Sequence, residues 1–240
     1  MNNKRAGGFE AILLDLDGTL LDLNVEDFIS AYIDLLAMRF AGKVDRDLFA
    51  DHLFQSTGIM VQNTDPGKKN IEVFYDDFCR RIGMSMEEIE PIVSDFYKHD
   101  FPTLNSFGRE HPYARSVIDA ARNMGLPLVL ATNPIFPQAA VAERLNWGGL
   151  STSLFMFVTS MENMHFCKPN PDYYREIAAR IGCRPEKCLM AGNDTLEDLS
   201  ASEAGMKTFL VEDHLLHRGG GEPVCDYRGR LKDLVTLIKS

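Results

Sequence analysis

The sequence has 240 residues, of which 45% are hydrophobic and 25% charged, as is ordinary for a globular protein of one large or two modest domains. Its net charge of -10 argues against a nucleic-acid groove, because such a groove needs clustered lysine and arginine side chains. No apolar run approaches the roughly 18 residues of a membrane span, so no membrane partner is expected.

The cysteines and the first residues of the chain predict a cytoplasmic location. The five cysteines are odd in number and fit no zinc-binding spacing, which favours reduced thiols over disulfides. The first ten residues, MNNKRAGGFE, include two basic residues but lack the apolar segment of a secretory signal. We therefore expect a protein of a reducing compartment.

The first predicted element is a short apolar strand that ends in two carboxylates. Ala11 to Leu14 is an uninterrupted apolar run, and Asp15 and Asp17 follow it before a Gly-Thr turn. Such a run is typical of a strand that is buried in a parallel sheet. Alternation along the strand places both carboxylates on one face, about 6.6 Å apart. Because unpaired buried charge is costly, we expect a divalent cation between them.

Helical spacing of apolar residues begins at about Val25 and continues to Phe101, which predicts an all-helical insert. Asp45 is a candidate helix start within it. Ser85 with Glu88 three residues later forms a capping box, the usual start of a further helix. No strand is predicted in this stretch.

After the insert, predicted strands and helices alternate. The strands are expected at 126–131, 154–158, 187–191 and 207–211, and the helices at 112–124, 137–145, 171–181, 196–204 and 231–238. This alternation implies right-handed crossovers and a parallel sheet. The predicted fold class is α/β: a doubly wound parallel sheet built from residues 1–22 and 102–240, with the helical cap at 23–101 inserted after the first strand. Residues 214–225, with three consecutive glycines, are expected to form a flexible surface loop.

Polar residues follow three of the later strands, at the carboxyl ends where ligands bind in such sheets. Thr132 and Asn133 offer a hydroxyl and an amide that could hold phosphoryl oxygens, although Asn-Pro also starts ordinary turns. Lys168 could stabilise a phosphate or offset crowded carboxylates, or it could be an exposed lysine ahead of a helix. After the strand at 187–191, Asp194 and Asp198 are spaced as in a hard-metal site, or belong to an ordinary helix cap.

Together these four segments resemble the motifs of the haloacid dehalogenase-like superfamily of phosphohydrolases: Asp-x-Asp-Gly-Thr at 15–19, then threonine, lysine and an acidic pair. The helical insert after the first motif resembles the cap of the phosphoglycolate phosphatase-like branch, whose core is Rossmann-like. Many members read Gly-Asp in the fourth motif, whereas this chain reads Gly192-Asn193-Asp194. The metal ligand expected there is therefore Asp194, with Asn193, Glu197 and Asp198 behind it or in its place.

The resemblance implies a Mg²⁺-dependent phosphomonoester hydrolase that acts on a small phosphorylated metabolite. Asp15 would attack phosphorus to form an aspartyl-phosphate, and Asp17 would protonate the leaving oxygen and then activate water. Mg²⁺ would be held by Asp15, by Asp17 through its backbone carbonyl, and by Asp194. The substrate phosphate would be bound by three further side chains, Thr132, Asn133 and Lys168.

Two alternatives stay open. A phosphomutase of the same superfamily also uses both aspartates, whereas dehalogenases and phosphonate-cleaving members lack the carboxylate of Asp17. A protein that binds a phosphate ligand without turnover is the second alternative. Substrate choice is expected to come from the cap, and the charged residues considered there are Asp22, Lys68, Lys69, Arg80 and Arg81, each of which could equally be an ordinary surface charge.

Overall fold

The structure is a computed structural model that describes residues 8–218 and 220–240. Residues 1–7, on which the expectation about a secretory signal partly depends, lie outside the described residues. So does Gly219, one of the three glycines of the predicted surface loop.

The described residues form eight strands. These are β1 (Ala11–Leu14), β2 (Leu21–Leu23), β3 (Gly108–Glu110), β4 (Leu128–Leu130), β5 (Phe157–Val158), β6 (Cys188–Gly192), β7 (Lys207–Val211) and β8 (Tyr227–Gly229). Six of them form one sheet in the order β5-β4-β1-β6-β7-β8, with every neighbouring pair parallel. The remaining two, β2 and β3, pair as an antiparallel ribbon.

Eight α-helices accompany these strands. They are α1 (Val25–Arg39), α2 (Arg46–Val61), α3 (Asn70–Ile82), α4 (Met86–His99), α5 (Ala114–Asn123), α6 (Gln138–Trp147), α7 (Pro171–Arg180) and α8 (Leu231–Lys239). Short 3₁₀ helices cover Phe101–Phe107, Thr152–Leu154, Pro185–Lys187 and Leu199–Ala204. None of the helices described combines the length and the apolar composition needed to cross a bilayer.

Strand β1 lies inside the sheet, between β4 and β6, and both of its faces are covered by helices. All four of its residues are fully buried. Ile12 and Leu14 pack with the helices α5, α6 and α8, and Ala11 and Leu13 pack with α7 on the other face. An uninterrupted apolar run suits a strand with no solvent face, and each buried leucine or isoleucine side chain contributes about 1.5–3 kcal/mol. The predicted doubly wound α/β fold class is confirmed.

The predicted helical insert is present as α1 to α4, which follow β2 and precede β3 in the sequence. Asp45 caps α2 by accepting the N–H groups of Asp47 and Leu48, and the N–H of Ser85 donates to Glu88 at the start of α4. The chain enters the cap after β2 and returns through β3 and its pairing with β2. The residue-by-residue division into 1–22, 23–101 and 102–240 stays a prediction.

Two predicted elements are wrong in extent. The helix predicted at 196–204 is only the 3₁₀ helix Leu199–Ala204, and residues 195–198 form a turn ahead of it. The strand predicted at 154–158 is reduced to Phe157–Val158, an edge strand that pairs with β4 alone. Strand β8, also at an edge, was not predicted because it has only three residues and no apolar run.

Candidate active site

The carboxyl ends of three adjacent strands bring the predicted motifs together. In the sheet β1 lies between β4 and β6, so the residues that follow these strands meet at one edge. They line a cavity of about 130 Å³. Its polar wall is formed by Asp15, Asp17, Thr132, Asn133, Arg144, Asn193, Asp194, Glu197, Asp198 and Arg218. Of the predicted site residues, Lys168 lies behind this wall and contacts it directly.

Lys168 is buried between two carboxylates. Its side chain is 1% exposed, and its Nζ donates to Asp15 Oδ1 at 2.8 Å and to Asp198 Oδ1 at 2.6 Å. Burial alone would lower the pKa of Lys168, but the charges of Asp15 and Asp198 outweigh burial and raise that pKa well above its ordinary value. The lysine is therefore a fixed cation in the site, and the reading of it as an exposed lysine is excluded.

The same burial acts in the opposite direction on the two carboxylates. Desolvation raises the pKa of Asp15, although the charge and hydrogen bond of Lys168 oppose it. Desolvation also raises the pKa of Asp198, to about 6. Two carboxylates around one ammonium leave a net negative charge in a buried place, which favours a further cation nearby.

Asn133 makes its hydrogen bonds to the lysine-bearing loop through its side chain, whereas Thr132 is anchored through its backbone carbonyl. The amide of Asn133 accepts the backbone N–H of Lys168 at 3.2 Å and lies 3.5 Å from its carbonyl, so it holds the lysine-bearing loop. The backbone carbonyl of Thr132 accepts hydrogen bonds from Thr159 and Tyr173, which anchors this strand end. Phosphate binding by the side chains of Thr132 and Asn133 stays a prediction.

Asp17 has a buried partner that was missed in the sequence. Nη1 of Arg144, on α6, donates to Asp17 Oδ2, and the guanidinium lies 4.5 Å from the ring centroid of Phe136. Asp17 Oδ1 and Arg144 Nη2 are buried and have no hydrogen-bond partner among the described residues. Arg144 is 1% exposed. The one available signal was a charged residue in the apolar stripe of α6, next to Leu145 and one turn after Ala140 and Val141.

In the fourth motif, Asp194 and Asp198 have distinct contacts. Asp194 Oδ1 accepts the N–H groups of Leu196 and Glu197, which is the capping role considered for it. Asp194 Oδ2 lies 2.8 Å from Arg218 Nε, an ion-pair contact without hydrogen-bond geometry. Asp198 joins the motif to Lys168, because its Oδ2 accepts the Asp194 N–H at 2.9 Å while Oδ1 accepts from the lysine.

Asn193 connects the first motif to the fourth. Its side-chain oxygen accepts the hydroxyl of Thr19 at 3.2 Å, and its side-chain nitrogen donates to the carbonyl of His214 at 2.6 Å. Thr19 is fully buried. This side chain therefore holds the turn after Asp17 against the loop that follows β7, and the extra asparagine in the motif has a structural role.

The site offers oxygen donors of the kind that bind Mg²⁺. Within the described ranges, no three histidine, cysteine, aspartate or glutamate side chains form a metal-binding group. The set implied by the resemblance needs only two carboxylates, Asp15 and Asp194, with the backbone carbonyl of Asp17. Asp194 Oδ2 is buried and makes no hydrogen bond, and its ion pair with Arg218 is a contact that a bound cation would replace. The hydrogen bond of Asp15 uses only Oδ1. These hard oxygen donors fit Mg²⁺.

The charged cap residues considered from the sequence are absent from the lining of this cavity, as far as the structure is described. Lys68 pairs with Asp76, and Arg80 and Arg81 pair with the buried Asp77. These ion pairs within the cap account for the charges of Lys68, Arg80 and Arg81 without a substrate contact.

A family model described as haloacid dehalogenase-like hydrolase matches residues 9–205. The pyrophosphatase PpaX of Bacillus velezensis is 24% identical over 208 residues, covering 87% of this chain and 84% of that protein. A phosphoglycolate phosphatase of Vibrio vulnificus is 25% identical over an alignment of 245 residues, covering 94% and 96%. The crystal structure of a HAD phosphatase from Thermococcus onnurineus has a similar fold, with a TM-score of 0.62, 18% identity and coverage of 96% and 98%. Since the family model spans most of the chain, the protein belongs to the haloacid dehalogenase-like hydrolase family.

Proposed function

We propose that this hydrolase is a Mg²⁺-dependent phosphatase that cleaves the monoester of a small phosphorylated metabolite through an aspartyl-phosphate intermediate. The observation that carries the proposal is the contact of Asp15 with Lys168 at the end of β1, two residues before Asp17. Relatives named as a pyrophosphatase and a phosphoglycolate phosphatase support the same reaction class. The cytoplasmic location remains part of the proposal and depends on the odd number and the spacing of the five cysteines.

In the first step, an oxygen of Asp15 forms a bond to phosphorus while the bond from phosphorus to the ester oxygen breaks. Lys168 holds the carboxylate of Asp15 through Oδ1, which fixes the direction of attack. Asp17 gives a proton to the departing oxygen. Arg144 occupies only Oδ2 of Asp17, so Oδ1 is the oxygen left for that proton.

In the second step, Asp17 accepts a proton from the water that attacks the aspartyl-phosphate, which regenerates Asp15 and releases phosphate. Thr132 and the loop held by Asn133 would donate to the phosphoryl oxygens. Mg²⁺, held by Asp15, Asp194 and the Asp17 carbonyl, would screen the repulsion between carboxylate and phosphate. Val25, Phe28 and Ile29 of α1 line the cavity, and this side of the cap would help to exclude bulk water.

The test is hydrolysis of p-nitrophenyl phosphate with and without Mg²⁺. We expect metal-dependent release of p-nitrophenol, reduced at least about 1,000-fold in Asp15→Asn, because the nucleophile is lost. Asp119→Asn, which removes an exposed carboxylate on α5, is the matched control and should keep full activity. The absence of turnover on a broad panel of phosphate esters with every divalent metal would leave a binding protein as the better description. A phosphomutase would instead transfer the group between hydroxyls of one sugar phosphate and release little phosphate.

Metal binding can be tested separately from activity. Mg²⁺ should raise the melting temperature of the wild-type protein, since a ligand that binds the folded state stabilises it. Asp194→Asn should remove most of that increase. An equal increase in both proteins would exclude Asp194 as a ligand.

A further inference from the structure

A second cavity, of about 100 Å³, lies among the cap helices next to the catalytic cavity. We call it the cap cavity; its walls come from α1 to α4, from residues 135–137 and from Met161. Ile29, Ile135 and Phe136 line both cavities. These three side chains are therefore the shared boundary of the two cavities, which a ligand with its phosphorus at Asp15 would have to pass to reach the cap.

The cap cavity offers a ligand almost only apolar contacts. Of the eighteen described residues that line it, all are apolar or aromatic except Thr57. Most of its side-chain polar atoms are already engaged: the hydroxyls of Tyr32 and Tyr97 hydrogen-bond to each other at 2.9 Å, and that of Thr57 donates to the Leu53 carbonyl at 2.8 Å. The hydroxyl of Tyr75 is the one in the described lining that makes no hydrogen bond. A leaving group rich in hydroxyls or carboxylates would therefore lose most of its hydrogen bonds to water here without replacement.

The volume of the cap cavity limits what it can hold. A dry apolar cavity of about 150 Å³ binds benzene, so a cavity of about 100 Å³ holds at most one ring or one branched alkyl chain. The charged side chains lie instead in the catalytic cavity, where Arg144 stacks on Phe136 and pairs with Asp17. Apolar lining with a few placed polar groups is the usual design of a small-molecule site.

We propose that the substrates of this enzyme are phosphate monoesters of alcohols with an apolar body of about one ring, which occupies the cap cavity during catalysis. The inference rests on the proposed phosphatase function and narrows its substrate class. It separates this chain from the relatives above, since pyrophosphate and phosphoglycolate both have charged leaving groups.

The first test compares benzyl phosphate with glycerol 1-phosphate on the wild-type enzyme. Both are esters of primary alcohols, so their leaving groups differ mainly in polarity. We expect kcat/KM to be at least about tenfold higher for benzyl phosphate, as is usual for an added apolar group in a fitting pocket. Turnover of both without this preference would overturn the inference and leave the phosphatase function intact. No turnover of either ester or of p-nitrophenyl phosphate would overturn both.

The second test fills the cap cavity. Thr57→Phe adds a ring to its wall, and we expect kcat/KM to fall at least about tenfold for benzyl phosphate and less than about twofold for glycerol 1-phosphate. Ile59→Phe, on the exposed face of the same helix and outside the cavity lining, is the matched control and should change neither value. Unchanged benzyl phosphate kinetics in Thr57→Phe would contradict the placement of the leaving group.

A third measurement needs no variant and covers the case in which Thr57→Phe fails to fold. Benzylphosphonate and methylphosphonate cannot be hydrolysed in the same way and differ only in the ring. The inhibition constant of benzylphosphonate should be at least about tenfold lower. Equal inhibition by the two would overturn the inference.

Discussion

The ammonium of Lys168 lies 2.8 Å from the carboxylate of Asp15, a residue 153 positions earlier in the chain. A second carboxylate, Asp198, lies 2.6 Å from the same nitrogen. All three side chains are buried. One lysine therefore holds both the nucleophile and the acidic residue of the fourth motif in place. We expect its loss to lower both the stability and the activity of the protein.

Lys168→Met should reduce both activity and stability. Removing one member of a buried ionic group leaves uncompensated charge, which costs about 3–5 kcal/mol. We expect a decrease of this size in the free energy of unfolding in urea, and a loss of kcat/KM of at least about 100-fold. Lys232→Met, at an exposed position of α8, is the control and should behave as wild type. A Lys168→Met protein with wild-type stability would contradict the buried pairing.

Asp17→Asn should separate the two steps of the reaction. With p-nitrophenyl phosphate the leaving group needs no proton, so the aspartyl-phosphate should still form, but its hydrolysis lacks the base. Acid quenching followed by detection of protein-bound phosphate should show an intermediate that accumulates and persists. Asp22→Asn, on the neighbouring strand β2, should show no accumulation. Rapid turnover at the wild-type rate in Asp17→Asn would exclude the acid and base role.

Arg144→Met should weaken the enzyme through Asp17. The substitution keeps an apolar stem over Phe136 but removes the charge that holds Asp17 Oδ2. We expect a loss of about 3 kcal/mol in the free energy of unfolding, because the Asp17 carboxylate loses its partner in a largely buried place. The double variant with Asp17→Asn should lose less than the sum of the single variants. Arg115→Met, which removes an exposed ion pair on α5, is the control. If the losses in the free energy of unfolding of Arg144→Met and Asp17→Asn were additive in the double variant, the two side chains would not be coupled.

Gly192→Ala should disrupt the site by steric contact. A Cβ at this position would lie 2.1 Å from Asp198 Oδ2, and that carboxylate is held by Lys168 and by the Asp194 N–H. It cannot move without breaking one of these bonds, so we expect destabilisation of about 2 kcal/mol or more and a lower kcat. Gly58→Ala, within α2 and with open space around the added methyl group, should stabilise the protein by up to about 1 kcal/mol. Thermal unfolding should show a lower melting temperature for Gly192→Ala and an unchanged or higher one for Gly58→Ala. Equal changes in the melting temperatures of the two variants would contradict the steric contact at position 192.

Stability should depend on pH through Asp198. Burial raises its pKa from 3.8 in the unfolded chain to about 6, so the folded state favours the protonated form. The stability that this group contributes is fully present below pH 3.8 and is lost as the pH rises through 6, by about 3 kcal/mol at most. Urea unfolding of the wild type and Asp198→Asn should give a difference that changes between about pH 4 and pH 6 and is constant above pH 7. If the difference in the free energy of unfolding were constant across the whole pH range, folding would not shift the pKa of Asp198.

Local patterns were sufficient for much of the architecture. The apolar run of β1, the capping residues Asp45 and Ser85, and the helical stripes of the insert are short-range signals, and each led to the observed element. The helix expected at 196–204 is observed only as a short 3₁₀ helix. The side chain of Asp198 at its start is held by Lys168, 30 positions earlier in the chain, and a local pattern contains no such contact.

The sequence by itself determined the class of fold and the edge of the sheet at which the site lies, because parallel strands end together and the polar residues follow those ends. Only the tertiary structure decided the partners: Lys168 between Asp15 and Asp198, Arg144 against Asp17, and the cap cavity beside Phe136. These contacts join residues far apart in the chain, and periodicity describes only which face of an element is buried. Which buried side chains then meet depends on how the elements pack against one another.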